Sequence, residues 1–227
     1  MSSRTLFRIA GLSLVLGGML GPFGHLVLHP PSHALEYQGT SQWMVAHAVL
    51  TVSWILILFG LFGLYGHLHQ RMGLIGLLGF ALVSVLCLHE AAAYAFDAFT
   101  LPAIQTTFPG EVATAPNGSF KQFPNEPFPF SFSEPIGLLL FGIAIFRSRF
   151  AQRWSGVALA ASVFLLFVGL SLGHSPLHLE RAIPIVLSMN SLVFAWIGFG
   201  LLQAVSKRAR PAASVRAFVP GAAPSAR

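Results

Sequence analysis

The chain has 227 residues, 55% of them hydrophobic and only 9% charged, where a soluble domain averages about 25% charged residues. That balance excludes an ordinary water-soluble globular domain, and the long apolar runs read as an all-α, polytopic transmembrane helix bundle. The net charge of +6 does not mark a nucleic-acid binder, because the basic residues sit at helix ends rather than on one patch. The single cysteine, Cys87, lies in an apolar run; it excludes an internal disulfide, a CxxC redox pair and a cysteine-based zinc site.

Six apolar segments are predicted in chain order, over about 6–28, 42–66, 73–97, 130–149, 154–174 and 184–205. Most reach the roughly 20 residues that cross a hydrocarbon core about 30 Å thick. Arg4 and Arg8 are followed by an apolar stretch as in a signal peptide, but no A-x-A cleavage site follows, so the segment is read as a retained helix. The fourth is the shortest, with an apolar core from Pro135 to Phe146 that needs Phe128 to Phe132 to complete it. Residues 1–206 thus form a membrane domain, and the basic, then Ala- and Pro-rich 207–227 reads as a disordered tail at the inner surface.

Charge sets the orientation. Arg4, Arg8, Arg71, Arg147, Arg149, Arg153, Lys207, Arg208 and Arg210 fall on one side, and only Lys121 and Arg181 on the other. The positive-inside rule puts the first side, with both termini, in the cytoplasm. The inner loops are short, 67–71 and 147–153, with His67 and His69 read as solvated. The outer loop 101–129 is long and rich in Pro, Phe and Asn, a length usual for functional or disordered loops. Segments 1, 3 and 5 share a faint pattern: a basic residue with glycine close behind at the start (Arg8/Gly11, Arg71/Gly73, Arg153/Gly156), and histidine near the end (His25, His89, His174). Three helical-hairpin repeats of like orientation would produce it.

The clue to function is a layer of polar residues near the same end of every segment: His25, His47, His89 with Glu90, Glu134, His174 and Asn190. At about 1.5 Å per residue, His25 lies about 26 Å from Arg8, and His89 about 27 Å from Arg71, so the layer belongs to the outer third of the membrane. Ionisable groups there are costly and mark a site by default. His47 interrupts an apolar helix and is a candidate metal or haem ligand or proton carrier, against an interhelical packing bond. Glu90, Tyr94 and Asp97 share a stripe at i, i+4, i+7, a polar lining or short proton path. Glu134 before Pro135 is also what a helix start looks like. His25 and His29 have an i, i+4 metal spacing, but Pro30 and Pro31 end the helix there and favour interface histidines. Asn190, flanked by Ser188 and Ser191, reads more readily as interhelical glue. The many helix glycines, Gly17, Gly18, Gly60, Gly63, Gly76, Gly79 and Gly198 among them, permit close packing.

The stretch Arg8-Ile9-Ala10-Gly11, the His-Pro turn after the first helix, Gly60 to Tyr65, and Gly76-Leu77-Leu78-Gly79-Phe80 together resemble small uncharacterised bacterial multi-pass membrane proteins. The resemblance covers roughly the first hundred residues. It implies an inner-membrane protein of a bacterium and assigns no activity or site.

Three functional readings follow. The preferred one is a metal or haem site of redox or sensory role, with His25, His47, His89, Glu90, Glu134 and His174 as metal ligands, or His47, His89 and His174 holding a cofactor, and Tyr94, Asp97 and Asn190 in support. The second is a proton-coupled or small-solute transporter, against which no charge lies near the midplane. The third is a non-catalytic assembly subunit. The lipid bilayer is the expected partner, and a homo-oligomer or a partner membrane protein is compatible with all three. Whether the chain is an enzyme is left open.

Overall fold

A computed structural model describes residues 2–30, 39–107, 128–150, 152–173 and 182–207. Among these every regular element is helical: α1 over Ser3–Pro22, α2 over Ser41–Ala95, α3 over Leu101–Thr107, α4 over Phe128–Arg147, α5 over Arg153–Gly173 and α6 over Ala182–Lys207. The all-α class expected from the apolar runs is what forms. Three continuous helical stretches, Ser3–Leu28, Ser41–Thr107 and Pro184–Lys207, are long and apolar enough to cross a membrane.

Helix α2 is two limbs. At Gly73 the backbone takes φ 59° and ψ −159°, a region essentially reserved for glycine, and the chain reverses. Phe80, seven residues beyond, stacks on Tyr65 at 4.5 Å, eight residues before, and meets Phe62 at 5.3 Å. The inner loop predicted over 67–71 is therefore not a loop: helix continues through it, and one glycine makes the turn. His67, expected to be solvated, packs edge-on against Phe7 at 5.0 Å. The apolar surface of both limbs favours this, since a helix limb can bury its stripe only against a neighbour.

The limbs and helices pack in sequence into a closed ring: α1 on the first limb of α2, the second limb on α4, α4 on α5, α5 on α6, and α6 back on α1. Glycines set these contacts. A Cβ on Gly18 would stand 2.5 Å from the Ser191 carbonyl and the Ala195 amide of α6, and one on Gly142 would stand 2.5 Å from the Gly156 carbonyl of α5. Only glycine allows backbones this close. The centre is filled by Leu14, Trp54, Ile57, Leu61, Leu64, Phe141, Phe194 and Ile197, all nearly or fully buried, with Trp54 edge-on to Phe194 at 6.4 Å across the ring. Outside, Leu16, Phe59, Phe62, Leu74, Phe164 and Phe199 are exposed. An apolar belt this extensive is solvated by lipid rather than water.

Two short π-helical segments interrupt the ideal geometry. One, Phe23–Leu28, follows Pro22, and His29 N–H closes it on the Gly24 carbonyl at 2.9 Å. Proline lacks the N–H the preceding turn needs, and the wider turn accommodates the loss. The second, Phe96–Thr100, continues α2 directly into α3. The span predicted to end at 97 thus runs on to Thr107, and the outer loop expected over 101–129 is helical at 101–107 and again from Phe128; 108–127 lie outside the described residues. Helix α4 likewise begins at Phe128, so Glu134 sits in its second turn with Pro135 inside the helix, not at a helix start.

Candidate functional site: a histidine, tyrosine and aspartate cluster

Both π segments lie at the end of the bundle opposite Ser3 and Lys207, and each carries a polar residue into the same place: His25 from the first and Asp97 from the second. A π turn adds a residue to the turn and re-aims the side chains around it, which is why such segments gather at functional sites. The first limb of α2 contributes His47 and Trp43, the second contributes Tyr94, and His29 follows the first π segment.

His47 is buried, 2% exposed. Its Nδ1 lies 2.9 Å from the Trp43 carbonyl oxygen. A carbonyl only accepts, so Nδ1 carries the hydrogen and donates it. The other nitrogen, Nε2, faces Asp97 Oδ2 at 3.6 Å, and the Asp97 side chain is 35% exposed. A bare Nε2 lone pair against a carboxylate oxygen would be repulsive in this apolar setting, so the contact is favourable when a proton lies on one of the two groups. Trp43 stabilises both partners: its Nε1–H donates to the Asp97 backbone carbonyl at 3.2 Å, and its ring stacks on the imidazole at 4.1 Å.

Tyr94 is the hub of the rest. Its hydroxyl lies 3.4 Å from His25 Nε2, and its ring meets those of His25 at 5.7 Å and His47 at 5.6 Å. The carboxylates of Glu90, Asp97 and Glu134 all act electrostatically on it. His29 completes the group, 5.1 Å from the His47 ring and 5.2 Å from that of Trp43, with Nδ1 donating to the Pro30 carbonyl at 2.8 Å. Burial holds the His29 imidazole below its ordinary pKa, an effect that the Pro30 hydrogen bond partly offsets.

Of the residues singled out in the sequence, the structure gathers His25, His47, Tyr94 and Asp97 in direct contact, with Glu90 and Glu134 half-buried around Tyr94. His89 is half-buried on the second limb of α2, about 12 Å of helix inward of Asp97. Asn190 points elsewhere: it is buried and accepts from Ser162 Oγ at 3.3 Å, joining α5 to α6. His174 lies outside the described residues. His29 and Trp43 were not selected from the sequence as ligands or lining. The Pro-Pro ending hid the first, and Trp43 carries no charge to draw attention to it.

Among the described residues no group of three or more His, Cys, Asp or Glu is placed to hold a metal ion. At His47, Asp97 Oδ2 stands in front of Nε2 and Trp43 covers a face of the ring. No family model matches the chain, and no curated protein or solved structure is similar to it.

Proposed function

We propose that this chain is a six-span integral membrane protein of a bacterial cytoplasmic membrane, with both termini inside, and that it senses protons through an outward-facing His47–Asp97 pair. The six spans are α1, the two limbs of α2, α4, α5 and α6, pairing in order as three hairpins. Support for the orientation comes from charge: Arg71, Arg147, Arg149 and Arg153 sit at one end of the bundle, and Glu90, Asp97 and Glu134 at the other.

The observation that carries the sensory reading is the fixed tautomer of His47. With Nδ1 committed to the Trp43 carbonyl, every change of charge must occur at Nε2, against Asp97. Asp97 is partly exposed and His47 is buried, so the carboxylate is the entry for protons from outside. Beneath the His47–Asp97 pair the centre of the ring is packed with Leu50, Trp54, Ile57 and Phe194. A site that binds protons from one side and leads to an apolar plug is suited to sensing rather than to conduction.

Trp43 supplies the readout. An imidazolium stacked on indole quenches its emission, so a variant with His29 changed to Gln and Trp54, Trp154 and Trp196 changed to Phe reports the charge of His47 directly. Emission is expected to fall through one transition on acidification, and the transition is expected to vanish in His47→Gln and shift in Asp97→Asn. A flat profile, or a transition unchanged in both variants, refutes the reading.

A second reading has one observation behind it. His29 and His47 each donate Nδ1–H to a backbone carbonyl, an orientation that fixes Nε2 as the ligating atom in metal sites. Metal content and a visible spectrum of the untagged protein test it; near-stoichiometric metal that is lost in His47→Gln would replace the proton-sensing reading.

A further inference from the structure

The opposite end of the bundle holds a cavity of about 440 Å³ lined by Arg71, Arg147, Ser148 and Arg149. That volume falls within the range of roughly 300–1,000 Å³ typical of small-ligand sites. Two separate turns build it. Arg71 stands two residues before the reversal at Gly73, and Arg147 closes α4.

The second turn is held in shape. Ser148 is buried, its hydroxyl donates to the Ile145 carbonyl at 2.7 Å, and it accepts from Phe150 N–H at 3.3 Å. Arg149 sits at φ 57°, the one non-glycine residue with positive φ among the described residues. Left-handed backbone is uncommon for a residue of this kind.

Three guanidinium groups in one place repel each other unless an anion joins them. Among the described residues none lies nearby. The chain has no Asp or Glu between 37 and 89 or between 135 and 179, and the described carboxylates, Glu90, Asp97 and Glu134, all lie at the other end of the bundle. The neighbouring Arg153 is differently engaged: its guanidinium lies over the rings of Phe146 at 5.9 Å and Trp154 at 5.7 Å. Trp154 is itself 59% exposed. An exposed tryptophan at the end of an apolar helix marks headgroup depth, which puts the cavity level with lipid phosphates.

We propose that this cavity binds the phosphate of an anionic lipid headgroup, held by Arg71, Arg147 and Arg149. Guanidinium groups bind phosphate oxygens through paired, charge-assisted hydrogen bonds, and basic pockets between helices at the inner surface take anionic headgroups. The proposal rests on the six-span orientation given above. An alkaline wash of membranes tests that orientation's premise by itself, because a spanning protein stays in the pellet whether or not it binds lipid here.

The test is native mass spectrometry and thermal melting of the detergent-purified full chain, titrated with phosphatidylglycerol, phosphatidylcholine and inorganic pyrophosphate in parallel. Saturable retention of phosphatidylglycerol over phosphatidylcholine is expected, roughly tenfold weaker in Arg147→Gln and in Arg149→Gly. The second variant relaxes the left-handed backbone as it removes the charge, so a loss of binding at an undiminished melting temperature is not a folding defect. Arg4→Gln, at the same surface but outside the cavity, is expected to bind as wild type does. Equal retention in the wild type and both cavity variants overturns the proposal. Pyrophosphate that displaces the lipid at comparable concentration, through the same arginines, assigns the cavity to a soluble phosphate compound and overturns the lipid assignment.

Discussion

The Tyr94 hydroxyl stands 3.4 Å from His25 Nε2, tying together two segments separated by 69 residues of chain. The contact exists because a π segment carries His25 inward from α1, while Tyr94 projects from the second limb of α2 toward the same point. It couples the His47–Asp97 pair to the rest of the polar end, since the Tyr94 ring also lies against His47.

Removing that hydroxyl tests the coupling. Tyr94→Phe keeps the ring packing and deletes the polar contact, so a stability loss of about 1 kcal/mol is expected. The proton transition reported by Trp43 is expected to move, because the polar surroundings of the pair change. Thermal melting and the single-tryptophan pH titration read the two effects separately; a variant that melts lower with an unmoved transition would confine Tyr94 to packing.

His29 predicts a direction for pH dependence. Its folded pKa lies below the ordinary value, through burial. A histidine of this kind contributes stability that is fully present above its unfolded value of about 6.5 and is lost as pH falls through the window down to its folded value. The groups that face it are His47 and Trp43 on α2, with Asp97 beyond His47, and protonating His47 adds repulsion in the same direction. Acidification below about pH 6.5 is therefore expected to lower the melting temperature, and His29→Gln is expected to flatten that decline. An equally steep decline in the variant would exclude His29 as its source.

The reversal at Gly73 gives a sharper test, because steric contact plays no part in it. A Cβ there would meet nothing within 4 Å, yet the backbone conformation is one that alanine resists. Gly73→Ala is expected to destabilise by about 1–3 kcal/mol. Gly66→Ala is the control: it lies in regular helix where a Cβ meets only Phe7 Cε1 at 3.7 Å, and the change is expected to be neutral or stabilising by up to about 1 kcal/mol. Melting temperatures that fall equally in both would refute the strain argument.

The ring closure between α6 and α1 depends on Gly18. A Cβ at this position would press on backbone atoms of Ser191 and Ala195, which cannot swing aside as a side chain can. Gly18→Val is expected to cost at least about 1–3 kcal/mol, or to prevent recovery of folded protein altogether. Gly18→Ala should be intermediate, and size-exclusion chromatography with thermal melting ranks the three. An undiminished valine variant would mean that the two helices separate freely at this point.

Much of the plan was legible from composition and spacing. Apolar runs of about twenty residues specify helices, because in lipid every backbone polar group must be satisfied within its own segment. The depth of His25 and His89 can be counted along the chain, since helical rise is nearly constant. Rotation cannot. The i, i+4, i+7 stripe of Glu90, Tyr94 and Asp97 assumes an ideal helix, and the π segment from Phe96 alters the aim of Asp97. The Pro30-Pro31 ending concealed that His29 folds back onto Trp43 and His47. The polar run His67 to Arg71 reads as a five-residue loop, yet the reversal falls just past it at Gly73, where a single glycine conformation suffices.

Sequence alone therefore determined the helical class, the apolar exterior, and the separation of basic from acidic ends, all of which follow from local composition against a lipid solvent. Tertiary structure decided which polar residues meet. His47 finds Asp97 because two limbs of one helix reverse at Gly73 and run antiparallel, and His25 finds Tyr94 because the small residues of α1 let it approach α2 closely. Those meetings depend on the rotation of each helix about its axis, which is set by the fit of side chains between neighbours and not by the residues of any one segment.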